Sequence, residues 1–223
     1  MTRIIQPEGA KGSLKWIQRA VNVRPETLDA PLQARIGAGK INWRSPLIQD
    51  DFAEYRDAAF LTRIGLDDLR EDLAAFWPRR GPQWDALATT DAGDVLLIEA
   101  KAHIAELFSS PTQANAASLE LIERALRATS VQLRASPKAP WSQCFYQYAN
   151  RLAHLAFLRR HGKPAWLVLV SFVGDGAVGG PHTAEAWDSA YAVIDHVLGL
   201  RADHGLARYI IHIHPDVREL QPR

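Results

Sequence analysis

The run Ala165-Trp166-Leu167-Val168-Leu169-Val170-Ser171-Phe172-Val173 is the stretch that most constrains what this chain can fold into. Side chains alternate between the faces of a strand. A stretch with large apolar groups at both odd and even positions, rich in β-branched and aromatic residues, therefore predicts a central strand covered on both faces. Around it, the apolar patterning predicts helices and further strands. Ser13 to Val21 has Leu14, Ile17 and Val21 at helical spacing with Ser13 as N-cap, and Pro31 to Ile36 forms a short helix stopped by Gly37-Ala38-Gly39. Together these predict a helical N-terminal extension over residues 1–46, ahead of one globular domain over 47–223.

From Asp50 to Trp77, the residues Phe52, Tyr55, Ala59, Phe60, Ile64, Leu66, Leu69, Leu73 and Phe76 follow a broken 3.6-residue pattern that ends at Pro78. Two helices split at Gly65 are expected. Glu54 and Asp57 then fall on neighbouring positions of the first helix, and the plain alternative is that they solvate its surface. Further helices are expected over Pro111 to Leu133, Trp141 to Arg160 and Thr183 to Leu200, and a last strand over Arg208 to His214. The order predicts an α/β sandwich with a central mixed sheet, in which a hairpin and the Trp166 strand pair near the middle.

That hairpin is read from Trp84 to Lys101. Its first strand is Trp84 to Ala88, the run Thr89-Thr90-Asp91-Ala92-Gly93-Asp94 is rich in turn formers, and Val95 to Ala100 has strand length. Leu97, Glu99 and Lys101 share one face of the second strand. Charges that interrupt so apolar a strand are rare unless they are useful, although an ordinary ion pair on a solvated face is the alternative. If Asp85 faces the same side, two carboxylates and an ammonium converge where a divalent cation could sit.

Composition narrows the rest. With 223 residues, 47% hydrophobic and 23% charged, one substantial domain is expected. A single cysteine, Cys144, gives no disulfide and reads as a packing residue. The N-terminus lacks the apolar core of a signal peptide, so a reduced, soluble, cytoplasmic protein without a membrane segment is the expectation. The net charge of +1 confines any nucleic-acid surface to a local patch, for which Arg79, Arg80, Lys138, Arg151 and Arg159 are candidates. His103 and Glu106 read as loop or cap residues. His212 and His214, two potential ligands without a third, read as parts of a half-buried strand.

Asp85 followed by Glu99-Ala100-Lys101, with a preceding helix carrying Glu54 and a following helix and apolar strand, resembles the PD-(D/E)xK, or restriction-endonuclease-like, nuclease superfamily. The longer run Arg79 to His103 resembles uncharacterised bacterial members of it. No proline directly precedes Asp85, which departs from the superfamily pattern; the nearest is Pro82. The resemblance implies a restriction-endonuclease-like sandwich in which Asp85 and Glu99 bind Mg²⁺ (or Mn²⁺) and Lys101 positions or activates the attacking water. It also implies that Glu54 could reach the same ion from its helix, and that Gln143 or Gln147 could be aimed at a substrate phosphate. Mg²⁺ takes oxygen ligands and keeps several waters, so two carboxylates plus the Ala100 backbone carbonyl would suffice. The expected function is metal-dependent hydrolysis of phosphodiesters in nucleic acid, DNA before RNA. A homodimer would suit double-strand cleavage without being required. The alternatives are a catalytically silent member that binds nucleic acid or a protein partner, and a metal-dependent hydrolase of small phosphorylated substrates.

Overall fold

The apolar runs at Val95 and Ala165 lie side by side as parallel strands, and the rest of the chain is arranged to cover both of their faces. A computed structural model describes residues 2–37 and 39–221. In chain order the elements are β1 (Thr2–Ile4), α1 (Gly12–Asn22), α2 (Glu26–Ile36), β2 (Ile41–Ser45), β3 (Glu54–Arg56), α3 (Ala58–Arg63), α4 (Arg70–Phe76), β4 (Ala86–Thr90), β5 (Val95–Lys101), α5 (Ala116–Gln132), α6 (Tyr146–Arg160), β6 (Ala165–Ser171), α7 (Ala184–Leu198) and β7 (Ile210–Ile213). The fold is α/β. A five-stranded mixed sheet has the order β2-β4-β5-β6-β7, and a separate two-stranded sheet joins β1 to β3. The pairs β2–β4 and β4–β5 are antiparallel, whereas β5–β6 and β6–β7 are parallel. No described helix is long and apolar enough to cross a membrane.

Strand alternation sorts the core into two halves. Leu87, Leu97, Leu167, Leu169 and Ile210 face a core shared with α3 to α7, including Phe60, Leu126, Leu152, Phe157 and Trp187. Leu96, Ile98, Val168, Val170 and Ile211 face the other way, onto Trp16, Ile17 and Val21 of α1 and Leu28 and Leu32 of α2. Each large aliphatic or aromatic side chain so buried stabilises the fold by about 1.5–3 kcal/mol, which is why neither face of the central strands can be left open.

Several expectations change once tertiary contacts act. Residues 1–46, read as an extension, supply the edge strand β2 and the helices that cover the second face of the sheet. The short polar sequence Ile41-Asn42-Trp43-Arg44-Ser45 carries little strand signal, and pairing with β4 makes it one. The helix α2 begins at Glu26 and contains Pro31, and α1 begins at Gly12 without a side-chain cap from Ser13. Glu54 is not helical. Residues 54–56 pair antiparallel with Thr2–Ile4, and the helix starts only at Ala58, after Asp57 adopts a positive φ of 53°. A partner some fifty positions away in sequence overrides the local helical spacing. The helix expected over Trp141–Arg160 starts at Tyr146, since Phe145 has left-handed geometry with φ 49°.

The integration of the N-terminal segment is open to a direct check. Ile17 is 1% exposed, so Ile17→Ala is expected to lower unfolding stability by about 2–4 kcal/mol in urea titrations. A detachable extension would leave the midpoint unchanged.

Candidate active site

The hairpin is anchored at its turn and open at its other end. At the turn, the Thr90 hydroxyl donates to Asp94 at 2.9 Å and accepts from the Asp94 amide at 3.0 Å. Asn42 donates to Asp91 at 2.6 Å and the Trp166 indole to Asp94 at 2.9 Å, so the turn acids are structural. The β4–β5 ladder runs from Thr89↔Val95 to Ala86↔Ile98. Beyond it, Asp85 Oδ2 accepts the Ala100 N–H at 2.7 Å in place of a backbone carbonyl. A strand residue's N–H and C=O project to the same side, so the Ala100 carbonyl is also on the Asp85 side of β5. Lys101 projects its carbonyl the opposite way, where it accepts the Phe172 N–H at 2.8 Å.

Glu99 and Lys101 share the face of β5 that packs toward α6, and both are buried, at 4% and 7% exposure. The Lys101 ammonium donates to Glu99 Oε1. From α6, the buried Arg151 donates to Glu99 Oε2 at 2.6 Å through Nε, with a terminal guanidinium nitrogen at 2.6 Å from the same oxygen. That guanidinium also donates to the Gln83 carbonyl at 2.7 Å and to Asn150 Oδ1 at 2.9 Å, and it lies 4.7 Å from the Trp84 ring centroid. Gln83 in turn donates its side-chain amide to Glu54 Oε2, which also accepts from Gln6 at 3.0 Å. Glu54 thus comes to the site from β3 and not from a helix.

The site holds three carboxylates and two cations, shared unequally. Burial alone would push Glu99 up, but Arg151 and Lys101 win and hold it below its ordinary range. Burial likewise opposes the Lys101 ammonium, yet Glu99 and Asp85 raise its pKa and keep it protonated. Asp85 is raised well above an ordinary carboxylate, first by burial and then by the charges of Glu99 and Glu54. Glu54 is pushed up to about 7, again by burial first, with Glu99 adding to it and the Gln83 and Gln6 hydrogen bonds opposing. Among the described residues neither Asp85 nor Glu54 makes a direct ion pair, and the more distant charges of Lys101 and Arg151 do not offset their burial.

Glu54, Asp85 and Arg151 open onto a cleft of about 390 Å³ whose walls also include Arg80, Gln83 and Gln147, whereas Glu99 and Lys101 are buried behind it. The other expected contacts are elsewhere. Arg79 lines a separate cavity of about 180 Å³ with Asp57, Trp77 and His154. Gln143 is an exposed turn residue ahead of α6, Lys138 lines a groove against α5, and Arg159 lies 3.5 Å over the Tyr209 ring. His103 pairs with Glu106 at 3.1 Å. His214 bonds Asp188 at 3.2 Å, and its ring centroid is 6.5 Å from that of His212. Cys144 is partly buried. Two participants carried little sequence signal: Gln83, a loop residue that bridges Glu54 and Arg151, and Asn150. Arg151 had a signal in its position, a charge inside a helix whose residues 148–158 are all buried.

The donor set suits a hard divalent cation. Carboxylate and carbonyl oxygens are what Mg²⁺ or Mn²⁺ take, and the cost of ionising the buried acids Asp85 and Glu54 is what such an ion would relieve. Asp85, Glu99 and the Ala100 carbonyl are the groups that would hold it. Among the described residues, no three His, Cys, Asp or Glu side chains stand together as a ready metal cage, in keeping with the engagement of Glu99 by Lys101 and Arg151. Comparison of the chain with family models, curated proteins and solved structures gave no match.

Two measurements on the metal-free protein test this electrostatic picture. Glu99→Gln leaves Lys101 and Arg151 buried without their counter-ion and is expected to cost about 3–5 kcal/mol in denaturant titrations at neutral pH, whereas Asp85→Asn is expected to leave stability unchanged or raise it. The second concerns pH. Because the folded pKa of Glu54 is raised from 4.5 to about 7, the native state binds a proton that the unfolded chain has released within that window. Its stabilising contribution is full below the lower value and is lost as pH rises through the upper one. The melting temperature in EDTA should therefore fall from about pH 4.5 to pH 7, and Glu54→Gln should flatten the slope.

Proposed function

We propose that this protein is a metal-dependent phosphodiester hydrolase acting on nucleic acid, DNA in the first instance, and that its α/β sandwich is of the restriction-endonuclease-like type. The observation that carries the reading is the convergence of Asp85, the Ala100 peptide, Glu99 and Lys101 beyond the last pair of one hairpin, with Asp85 reaching a cleft that Glu54 and Arg80 also line and Glu99 and Lys101 buried behind it. Bound there, Mg²⁺ or Mn²⁺ supplies charge neutralisation at the phosphate and a more acidic water. Asp85 and Glu99, with the Ala100 carbonyl, would hold the ion, and Glu54 would add negative charge from the facing strand β3. Lys101 stays an ammonium, so its role is to donate: it orients the attacking water and stabilises charge that develops at the phosphate, and does not abstract a proton. Arg80 at the rim is the candidate for a backbone phosphate contact, with Gln147 beside it. A net charge of +1 fits binding that depends on this local patch.

One observation favours a second reading, a catalytically silent protein that binds nucleic acid or a protein partner. Both carboxylate oxygens of Glu99 are held by Lys101 and Arg151, so its charge is balanced without a metal. Incubation of the purified protein with DNA and RNA separates the two. Cleavage that needs Mg²⁺ or Mn²⁺ and stops in EDTA is expected, with Asp85→Asn, Glu99→Gln and Lys101→Met each lowering the rate at least about a hundredfold. No cleavage of either nucleic acid, with metal binding in the three variants equal to wild type, overturns the hydrolase reading.

A further inference from the structure

Arg151 touches more of the site than any other cation. It spans Glu99 Oε2 on one side and the Gln83 carbonyl on the other, with Asn150 and the Trp84 ring fixing its plane. With Lys101 on Oε1, no oxygen of Glu99 is without a cationic partner. Both cations make their direct contacts with Glu99, and neither pairs directly with Asp85 or Glu54 among the described residues. A divalent ion that bonds Glu99 must therefore share or take an oxygen that a cation already holds, Lys101 on Oε1 or Arg151 on Oε2, and on Oε2 the guanidinium cannot escape by losing a proton.

Gln83 is the other half of the arrangement. Its backbone carbonyl is held by Arg151 while its side-chain amide is held by Glu54. The loop that carries Arg80, Gly81 and Pro82 is thus tied at one residue to both groups whose surroundings a cation would change. The remaining ties are the Gly81 N–H on Asp57 Oδ1 at 2.9 Å and the Trp84 N–H on the Tyr55 carbonyl at 3.1 Å.

We propose that Arg151 is a positioning residue that competes with the cation for Glu99, and that its displacement couples cation arrival to movement of the 80–83 loop at the rim of the cleft. This rests on the metal-dependent reading above. Once Arg151 swings from Glu99, the Gln83 carbonyl loses its donor, the loop is freed on that side, and Arg80 becomes able to follow a bound phosphate.

The test reads metal binding, not activity. Mn²⁺ is titrated calorimetrically into wild type, Arg151→Gln and Arg151→Lys without nucleic acid, and amide exchange of residues 80–84 in wild type is followed with and without Mn²⁺. Removing the competing charge is expected to tighten Mn²⁺ binding at least about tenfold in Arg151→Gln. Arg151→Lys, which keeps the charge but cannot span Glu99 and Gln83, should fall between the two. In wild type, Mn²⁺ should quicken exchange in the loop. If Arg151→Gln binds Mn²⁺ no more tightly than wild type does, the competition is wrong while the metal site stands. If millimolar Mn²⁺ binds to neither protein, the hydrolase reading falls with it, whereas binding only to Arg151→Gln supports the competition in its strongest form. Should both variants fail to fold, the wild-type exchange decides, and a loop that is unchanged or slowed by Mn²⁺ overturns the coupling.

Discussion

The parallel pairing of Val95–Lys101 with Ala165–Ser171 is the constraint from which the rest of the molecule follows. Both strands carry apolar residues on both faces, and every residue of β5 is buried. A sheet with such a centre must be covered twice. On one face α5, α6 and α7 supply the cover, and on the other α1 and α2 do. The chain therefore cannot set its first forty-odd residues aside as an appendage without exposing Leu96, Ile98, Val168 and Val170 to water.

The same pairing explains the electrostatics of the site. Glu99 and Lys101 are at the end of a strand whose surroundings are dry, so neither can be solvated and each must find its partner within the protein. They find one another, and α6 brings Arg151 as a third member. Buried ion pairs recover their desolvation cost only when their geometry and hydrogen bonds are nearly complete, and Glu99 meets that condition. Asp85 and Glu54 do not. Their raised pKa values express an imbalance that the polypeptide leaves in place, and uncompensated acids in a cleft are more often found where chemistry is done than where stability is sought.

Arg151 and Gln83 give the site a mechanical side. A single guanidinium joins the acid of β5 to the loop before β4, and a single glutamine joins that loop to the acid of β3. Three elements distant in sequence thus share one hydrogen-bonded path, the path on which the proposed coupling between cation and loop rests.

How much of this could be read from the residues depends on the range of the interaction. The hairpin, the central strand, the α/β class and the shared face of Glu99 and Lys101 follow from strand periodicity and turn chemistry, which act within a few residues. Asp85 belongs to the same local unit, and its approach to Ala100 follows from the hairpin register. What local patterning misread is what long-range pairing decides. Glu54 has helical neighbours in sequence, but Thr2–Ile4 draws it into a strand. Ile41–Ser45 becomes an edge strand because β4 offers a free ladder, and Gln143 and Arg79 lie outside the residues that line the cleft. The sequence by itself determined the sheet's centre and the acid and lysine pair on it, since alternation along a strand is a property of the backbone. Only the tertiary structure decided that Arg151 holds Glu99 and that Glu54 faces it, since a buried charge takes its partner from whatever the fold brings within hydrogen-bond reach.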